Sequence, residues 1–130
     1  MRLADLDPRW WAEPGRNGQG VLFLCPHCRG GYLAVAFANP LDGGAPWDVG
    51  TERQRPIHRL WELLYGDLEM PAEKGTVRHG ALLPVGAWCV PPGCLWQRTG
   101  STLASLTLAP SVDASRAGHW HGFVIDGGIT

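Results

Sequence analysis

The prediction of the fold starts from VLFLCPHCRGGYLAVAF, residues 21–37. Two apolar runs of strand length flank a turn that contains two cysteines. VLFL at 21–24 forms a strand that runs into CPHC, and GGYLAVAF at 30–37 forms its partner. We therefore expect an antiparallel hairpin that closes at the cysteine turn.

Further strands are predicted on both sides of this hairpin. TLASLTLAPSV (102–112) and HWHGFVI (119–125) indicate two strands joined by the polar link DASRAG, and residues 76–88 have room for one more. The turn formers of NPLDGGAPWDVG (39–50) indicate a loop. Residues 1–20 look like an irregular or helical lead-in.

One helix is predicted among these strands. Four apolar residues recur at i, i+3, i+4 and i+7, the spacing of an amphipathic helix: Ile57, Leu60, Trp61 and Leu64. A proline at its start and a glycine at its end set limits of about 56–65. The predicted fold class is therefore α+β, predominantly antiparallel β with one substantial helix.

Length and composition favour a single small domain, residues 1–130. The content of 45% hydrophobic and 18% charged residues is ordinary for a globular protein. The 18 glycines and 11 prolines favour a turn-rich β domain over a helical bundle. A formal net charge of −1 gives no electrostatic reason to expect nucleic acid or an anionic membrane as a partner.

The sequence gives no sign of export or membrane insertion. No window approaches the ~18 consecutive apolar residues of a membrane span. The N-terminal MRLADLDPRWW has acids where a signal peptide has its apolar run. We expect a cytoplasmic protein, and in such a reducing compartment paired cysteines hold metal more often than they form disulfides.

The four cysteines form two pairs that predict a structural zinc site. CPHC places Cys25 and Cys28 three positions apart, so both sulfurs can face one ion while backbone amides stabilise them. Cys89 and Cys94 bracket VPPG, which also turns sharply, and can complete a four-cysteine site. Three histidines are candidates to replace one cysteine: His27, His79 and His119. The alternatives are buried free cysteines or one disulfide.

The C-terminal strands carry a candidate catalytic group. A short link can place Ser111 opposite His119 or His121 at about 5 Å. An imidazole in hydrogen-bond reach takes the proton of a serine hydroxyl and makes it a nucleophile, and a carboxylate such as Asp113 or Asp126 then orients the imidazole. Polar residues on a solvated strand face explain the same pattern without catalysis. A third reading is a metal-dependent hydrolytic site on the two histidines.

These residues resemble a known family. The run LTLAPSVDASRAGHWHGFVIDGGI, with the upstream FLCPHC and LWQRTG, resembles a group of small phage and bacterial proteins sometimes mislabelled as ammonia monooxygenase. That group is similar to the serine proteases of bacterial ubiquitination-like operons, which act as deubiquitinases. This chain differs in having Ala109 where many relatives have serine and Trp120 where some have cysteine.

The resemblance implies roles for individual residues. Ser111 is the nucleophile, His121 the general base and Asp113 the acid, with Asp126 as the alternative acid and His119 in support. It implies a protein or peptide substrate, a ubiquitin-like protein in particular, in the cytoplasm of a bacterium or phage-infected cell. The fold is expected to differ from that of trypsin while the active-site groups are arranged alike.

Three functions are therefore open at the level of sequence. The first is a deubiquitinase-like serine peptidase that forms an acyl-enzyme at Ser111, with backbone amides of glycine-rich turns stabilising the oxyanion. The second is a metal-dependent hydrolase that uses His119 and His121. The third is a non-enzymatic, zinc-stabilised phage accessory module whose tryptophans form a binding interface.

Overall fold

The computed structural model describes residues 1–44, 47, 55–65, 82–89 and 93–130. The helix in these ranges is α1 (Pro56–Tyr65), and short 3₁₀ turns cover Leu3–Leu6, Val85–Trp88, Leu103–Ser105 and Ser115–Ala117. The strands are β1 (Arg9–Trp11), β2 (Gly20–Leu24), β3 (Tyr32–Ala36), β4 (Leu82–Pro84), β5 (Gln97–Thr99), β6 (Thr107–Ala109), β7 (Val112–Asp113), β8 (His121–Gly122), β9 (Val124–Ile125) and β10 (Gly128–Ile129).

The central element is a four-stranded sheet in the order β1-β2-β3-β4. β2 and β3 are antiparallel, with Phe23 opposite Leu33 and Val21 opposite Val35, which confirms the predicted hairpin around the cysteine turn. β4 runs parallel to β3, so the chain must cross over before it enters the fourth strand.

Both faces of the β2–β3 hairpin are buried, because alternate residues point to opposite sides of a strand. One face joins the 3₁₀ turn near the N-terminus and the C-terminal strands in a core that includes Val21, Phe23, Leu33, Val35, Leu106, Leu108, Val112 and Val124. The other face packs against α1 in a second cluster: Leu22, Ala34, Ala36, Trp47, Ile57, Leu60 and Leu82. The hairpin is therefore the middle layer between the helix and the C-terminal strands.

The helix lies where the apolar spacing predicts it, at Pro56–Tyr65, but it is only ten residues long. That is under three turns, so no helix among the described residues is substantial. Most of the described secondary structure is sheet with mainly antiparallel pairing, which is broadly compatible with the predicted α+β class. None of the described helices is long and apolar enough to cross a membrane.

Two local predictions differ from the structure. Residues 1–20, predicted to be irregular or helical, contain strand β1, which pairs with β2. The predicted C-terminal pair of strands is broken into four short ones, since β6 pairs with β5, β7 with β8 and β9 with β10. The turn after β9 explains why β9 pairs with β10. Asp126 and Gly127 have φ of 48° and 71°, and two left-handed residues in succession close a tight hairpin. The predicted turn at VPPG lies partly outside the described residues.

Candidate functional site

A serine and a histidine meet where β7 pairs with β8. Val112 lies opposite Gly122 and Asp113 opposite His121, so Ser111 enters this ladder just before its first pair. The Oγ of Ser111 lies 3.2 Å from Nε2 of His121, within hydrogen-bond distance. Of the two histidines predicted to face Ser111, the structure brings His121 to it.

The backbone of Ser111 is held by Trp96, a residue to which sequence analysis gave no role in the site. The buried Trp96 indole N–H donates to the carbonyl of Ser111 at 3.2 Å. The backbone of Trp96 exchanges hydrogen bonds with the end of the central sheet, donating to the Ala36 carbonyl at 2.9 Å and accepting from the Ala38 amide at 2.9 Å. Ser111 is thereby tied to the sheet through one side chain.

Gly122, directly after His121, is required by close packing. A Cβ at this position would overlap the Thr130 carbonyl oxygen and the Trp120 indole. The Trp120 ring in turn contacts Phe23 edge-on, with centroids 6.1 Å apart. Any larger residue at position 122 would displace the strand that carries His121.

Asp113 is the carboxylate that the ladder places across from His121. Its Oδ1 accepts hydrogen bonds from the Ser115 hydroxyl at 2.5 Å and the Ser115 amide at 2.9 Å. These bonds hold the pKa of Asp113 below its ordinary value; burial partly opposes them, and the nearby His121 and Arg116 have smaller lowering effects. Asp113 is therefore ionised at neutral pH beside the imidazole.

Asp126, the alternative acid, has a different place in the fold. It occupies the tight turn between β9 and β10, where its amide donates to Thr107 Oγ1 at 2.8 Å. The pattern IDGG carries the Asp-Gly signal of such a turn. A turn-forming role accounts for Asp126 without any part in catalysis.

A second cluster of side chains lies at the cysteine turn. Ligand atoms of Cys25, Cys28 and His119 are all within 4.8 Å of one another, and Cys28 Sγ lies 3.3 Å from His119 Nδ1. In a tetrahedral zinc site the usual bond lengths put sulfur and nitrogen about 3.5 Å apart. The three residues are therefore close enough to hold a metal ion, with His119 among the histidines predicted to replace a cysteine.

Backbone amides of the turn donate hydrogen bonds to both cysteines. The Gly30 amide donates to Cys28 Sγ at 3.3 Å, and the Arg29 amide donates to the Cys25 carbonyl at 2.7 Å. Partial desolvation raises the pKa of the Cys28 thiol, as does the neighbouring Cys25, while the Gly30 amide lowers it. A thiol with a raised pKa must lose its proton when a metal binds.

The structure does not bring the four cysteines into one site. Cys89 and Cys94 are joined in a disulfide, whereas Cys25 and Cys28 are free and lie with His119. The prediction of a four-cysteine metal site is corrected accordingly, because a sulfur bonded to another sulfur offers no thiolate to a metal. His27, another predicted substitute, is exposed and outside the cluster, and His79 lies outside the described residues.

The two histidines of HWH belong to different groups. His119 faces the cysteines, whereas His121 faces Ser111. Among the described residues, Cys25, Cys28 and His119 form a group of potential metal ligands that does not include His121. This division removes the geometric basis for a hydrolytic metal bound by both imidazoles.

Comparison with known proteins gives no relative on which to base a role. No family model, curated protein or solved structure matches this chain.

We predict that zinc binds at the cysteine turn and that His119 is one of its ligands. Cys28→Ser and His119→Ala should each weaken zinc binding by about 10-fold or more, because each removes one donor. His27→Ala is the matched control and should bind zinc like the wild type, since His27 lies on the same turn outside the cluster. Competition against a colorimetric chelator measures the affinities, and equal losses for His27→Ala and His119→Ala would contradict the assignment.

We further predict that zinc binding strengthens as the pH rises. The raised pKa of Cys28 keeps its thiol protonated near neutral pH, so the incoming metal must displace a proton. The apparent affinity should rise by up to about tenfold per pH unit for each proton released. The same competition assay at about pH 6 and about pH 8 measures the slope, and a flat profile would contradict a metal site with cysteine ligands.

Proposed function

We propose that this protein is a serine peptidase with Ser111 as nucleophile and His121 as general base. The observation that carries the proposal is the 3.2 Å approach of Ser111 Oγ to His121 Nε2. It is supported by the half-buried position of Ser111, the fixed backbone around it and the ionised carboxylate across the ladder.

The first half of the reaction uses the serine and the histidine together. His121 Nε2 takes the proton of the Ser111 hydroxyl as Oγ attacks the carbonyl carbon of the scissile bond. The carbonyl π-bond electrons move to oxygen, which gives a tetrahedral intermediate. When this collapses, the protonated imidazole gives its proton to the departing amine, and an ester remains on Ser111.

The second half repeats the same proton transfers with water. His121 accepts a proton from a water molecule, whose oxygen attacks the ester carbonyl. The new intermediate breaks the bond to Ser111 Oγ, and His121 returns its proton to that oxygen. The acid product leaves and the serine hydroxyl is restored.

Asp113 stabilises the charged imidazole that exists between these steps. Asp113 lies across the β7–β8 ladder from His121, and the proximity of His121 contributes to the lowered pKa of Asp113. Ser115 holds the carboxylate through its hydroxyl and amide. The contribution is smaller than in a buried triad because Asp113 and His121 are exposed and water screens their attraction.

A structural zinc ion completes the proposal. Cys25, Cys28 and His119 are the residues that would hold it. The ion would supply a cross-link between the cysteine turn and the strand segment that carries His121, not a reactive centre. Because His119 is two positions before His121, this cross-link would restrain the general base.

The proposed substrate is a protein or peptide, in particular the C-terminus or a conjugate of a ubiquitin-like protein, in the cytoplasm. Support comes from the resemblance of FLCPHC, LWQRTG and the Pro-Ser to His-x-His-Gly-Phe run to the deubiquitinase-like proteases. The net charge of −1 supports neither nucleic acid nor an anionic membrane as a partner.

A fluorophosphonate probe tests the activated serine. We expect wild-type protein to gain the mass of one probe, and Ser111→Ala and His121→Gln to gain none, because phosphonylation needs both the hydroxyl and its base. Ser101→Ala, which changes an exposed serine outside the site, is the control for general serine reactivity and should keep the single adduct. Intact mass spectrometry provides the measurement. An adduct that persists in Ser111→Ala would contradict the assignment of Ser111 as the nucleophile.

Asp113→Asn and Asp126→Asn distinguish the two candidate acids. Asp113→Asn should lower kcat by about 10- to 100-fold, because the imidazolium loses its nearby negative charge. Asp126→Asn should leave kcat within about twofold, since asparagine also suits a left-handed turn position. Hydrolysis of an activated ester measures both. The reverse order of losses would make Asp126 the acid and exclude Asp113.

The second candidate function is a zinc-stabilised, non-enzymatic binding module. Its specific support is the exposure of Phe123 and Ile125 at 50% and 53%, on the side of the last strands that also exposes His121. The tryptophans support it less: Trp47 and Trp96 are buried, and Trp10, Trp11 and Trp120 are partly buried. Complete absence of a probe adduct on zinc-loaded wild type would favour this function over the peptidase.

A further inference from the structure

A cavity of about 240 Å³ opens directly beside Ser111. Its inner wall is formed by Val85 and Trp96, which are 2% and 3% exposed. Leu95 and Pro110 extend this apolar wall towards the surface, and the disulfide between Cys89 and Cys94 lines the cavity as well. The proposed nucleophile therefore lies at the edge of an apolar recess.

Polar groups surround the opening of this cavity rather than its interior. Asp113 and Arg116 both line it and both are exposed, whereas Ser111 is half-buried. The two charges are opposite, so together they give the opening no strong preference for an acidic or a basic group. Selection inside the cavity is therefore by shape and apolar contact.

The size of the cavity indicates what it can hold. At roughly 30 Å³ per liquid water molecule, its volume corresponds to about eight waters. It is smaller than the roughly 300 Å³ at which small-molecule pockets begin. A single leucine, methionine or phenylalanine side chain fits this space, whereas a glycine has no side chain to fill it and the cavity would remain hydrated.

We propose that this cavity is the specificity pocket of the peptidase and that it takes an apolar side chain of the substrate residue whose carbonyl Ser111 attacks. This inference rests on the proposed function. Filling the pocket removes apolar surface of both partners from water and fixes the substrate next to the nucleophile. A ubiquitin-like substrate fits the pocket when the residue before the cleaved bond is apolar instead of glycine.

The test uses N-blocked p-nitrophenyl esters of glycine, leucine, phenylalanine, glutamate and lysine. An activated serine hydrolyses all of these esters, so their ratios report on the pocket alone. We expect kcat/KM for the leucine and phenylalanine esters to exceed that for the glycine ester by at least about tenfold. The glutamate and lysine esters should stay near the glycine value.

Two variants of the pocket wall sharpen the test. Leu95→Phe fills the cavity and should remove most of the preference for the phenylalanine ester over the glycine ester. Leu95→Ala enlarges the cavity and should raise kcat/KM for the corresponding tryptophan ester relative to the leucine ester. Leu103→Phe is the matched control, because Leu103 is also half-buried but does not line the cavity. The rate of fluorophosphonate labelling verifies that each variant keeps its active site.

The outcomes separate the two proposals. Absence of probe labelling in wild type would overturn the peptidase itself. Normal labelling with equal hydrolysis of all five esters would overturn the pocket and leave the peptidase standing. A preference for the glutamate or lysine ester would show that Arg116 or Asp113 selects the substrate, and would also overturn an apolar pocket.

Discussion

The hydrogen bond from the Trp96 indole to the Ser111 carbonyl joins the central sheet to the candidate nucleophile. Trp96 is itself fixed by backbone bonds to Ala36 and Ala38 at the end of β3. On the other side, His119 lies against Cys28 of the turn that closes β2 and β3. Both halves of the Ser111–His121 pair are thus held by the same hairpin, one through an indole and one through a cysteine turn.

Short sequence patterns predicted those parts of the fold that form from residues close together in the chain. The apolar runs VLFL and YLAVAF gave both strands of the hairpin, and the helical spacing of apolar residues after Pro56 gave α1. The pairing of Ser111 with a histidine followed from a short link between two strands. The Asp-Gly signal at Asp126 was also present in the sequence, and it explains that residue as part of a turn.

Other features depend on distances that sequence spacing does not contain. Whether Cys89 and Cys94 bind a metal or each other depends on where the chain brings Cys25 and Cys28, some sixty residues away. The link from Trp96 to Ser111 arises only when a parallel bridge places Trp96 beside Phe37. The cavity beside Ser111 has the same origin, because its walls come from three separate segments.

The measurement that tests the central claim most directly is the pre-steady-state release of nitrophenol from the leucine ester. The account predicts a burst close to one equivalent per zinc-loaded protein molecule, followed by slower turnover, because acylation of Ser111 releases nitrophenol before water cleaves the acyl-enzyme. The burst should be absent in Ser111→Ala. A linear release of equal rate in the wild type and Ser111→Ala would contradict the account, because Ser111 would then form no covalent intermediate.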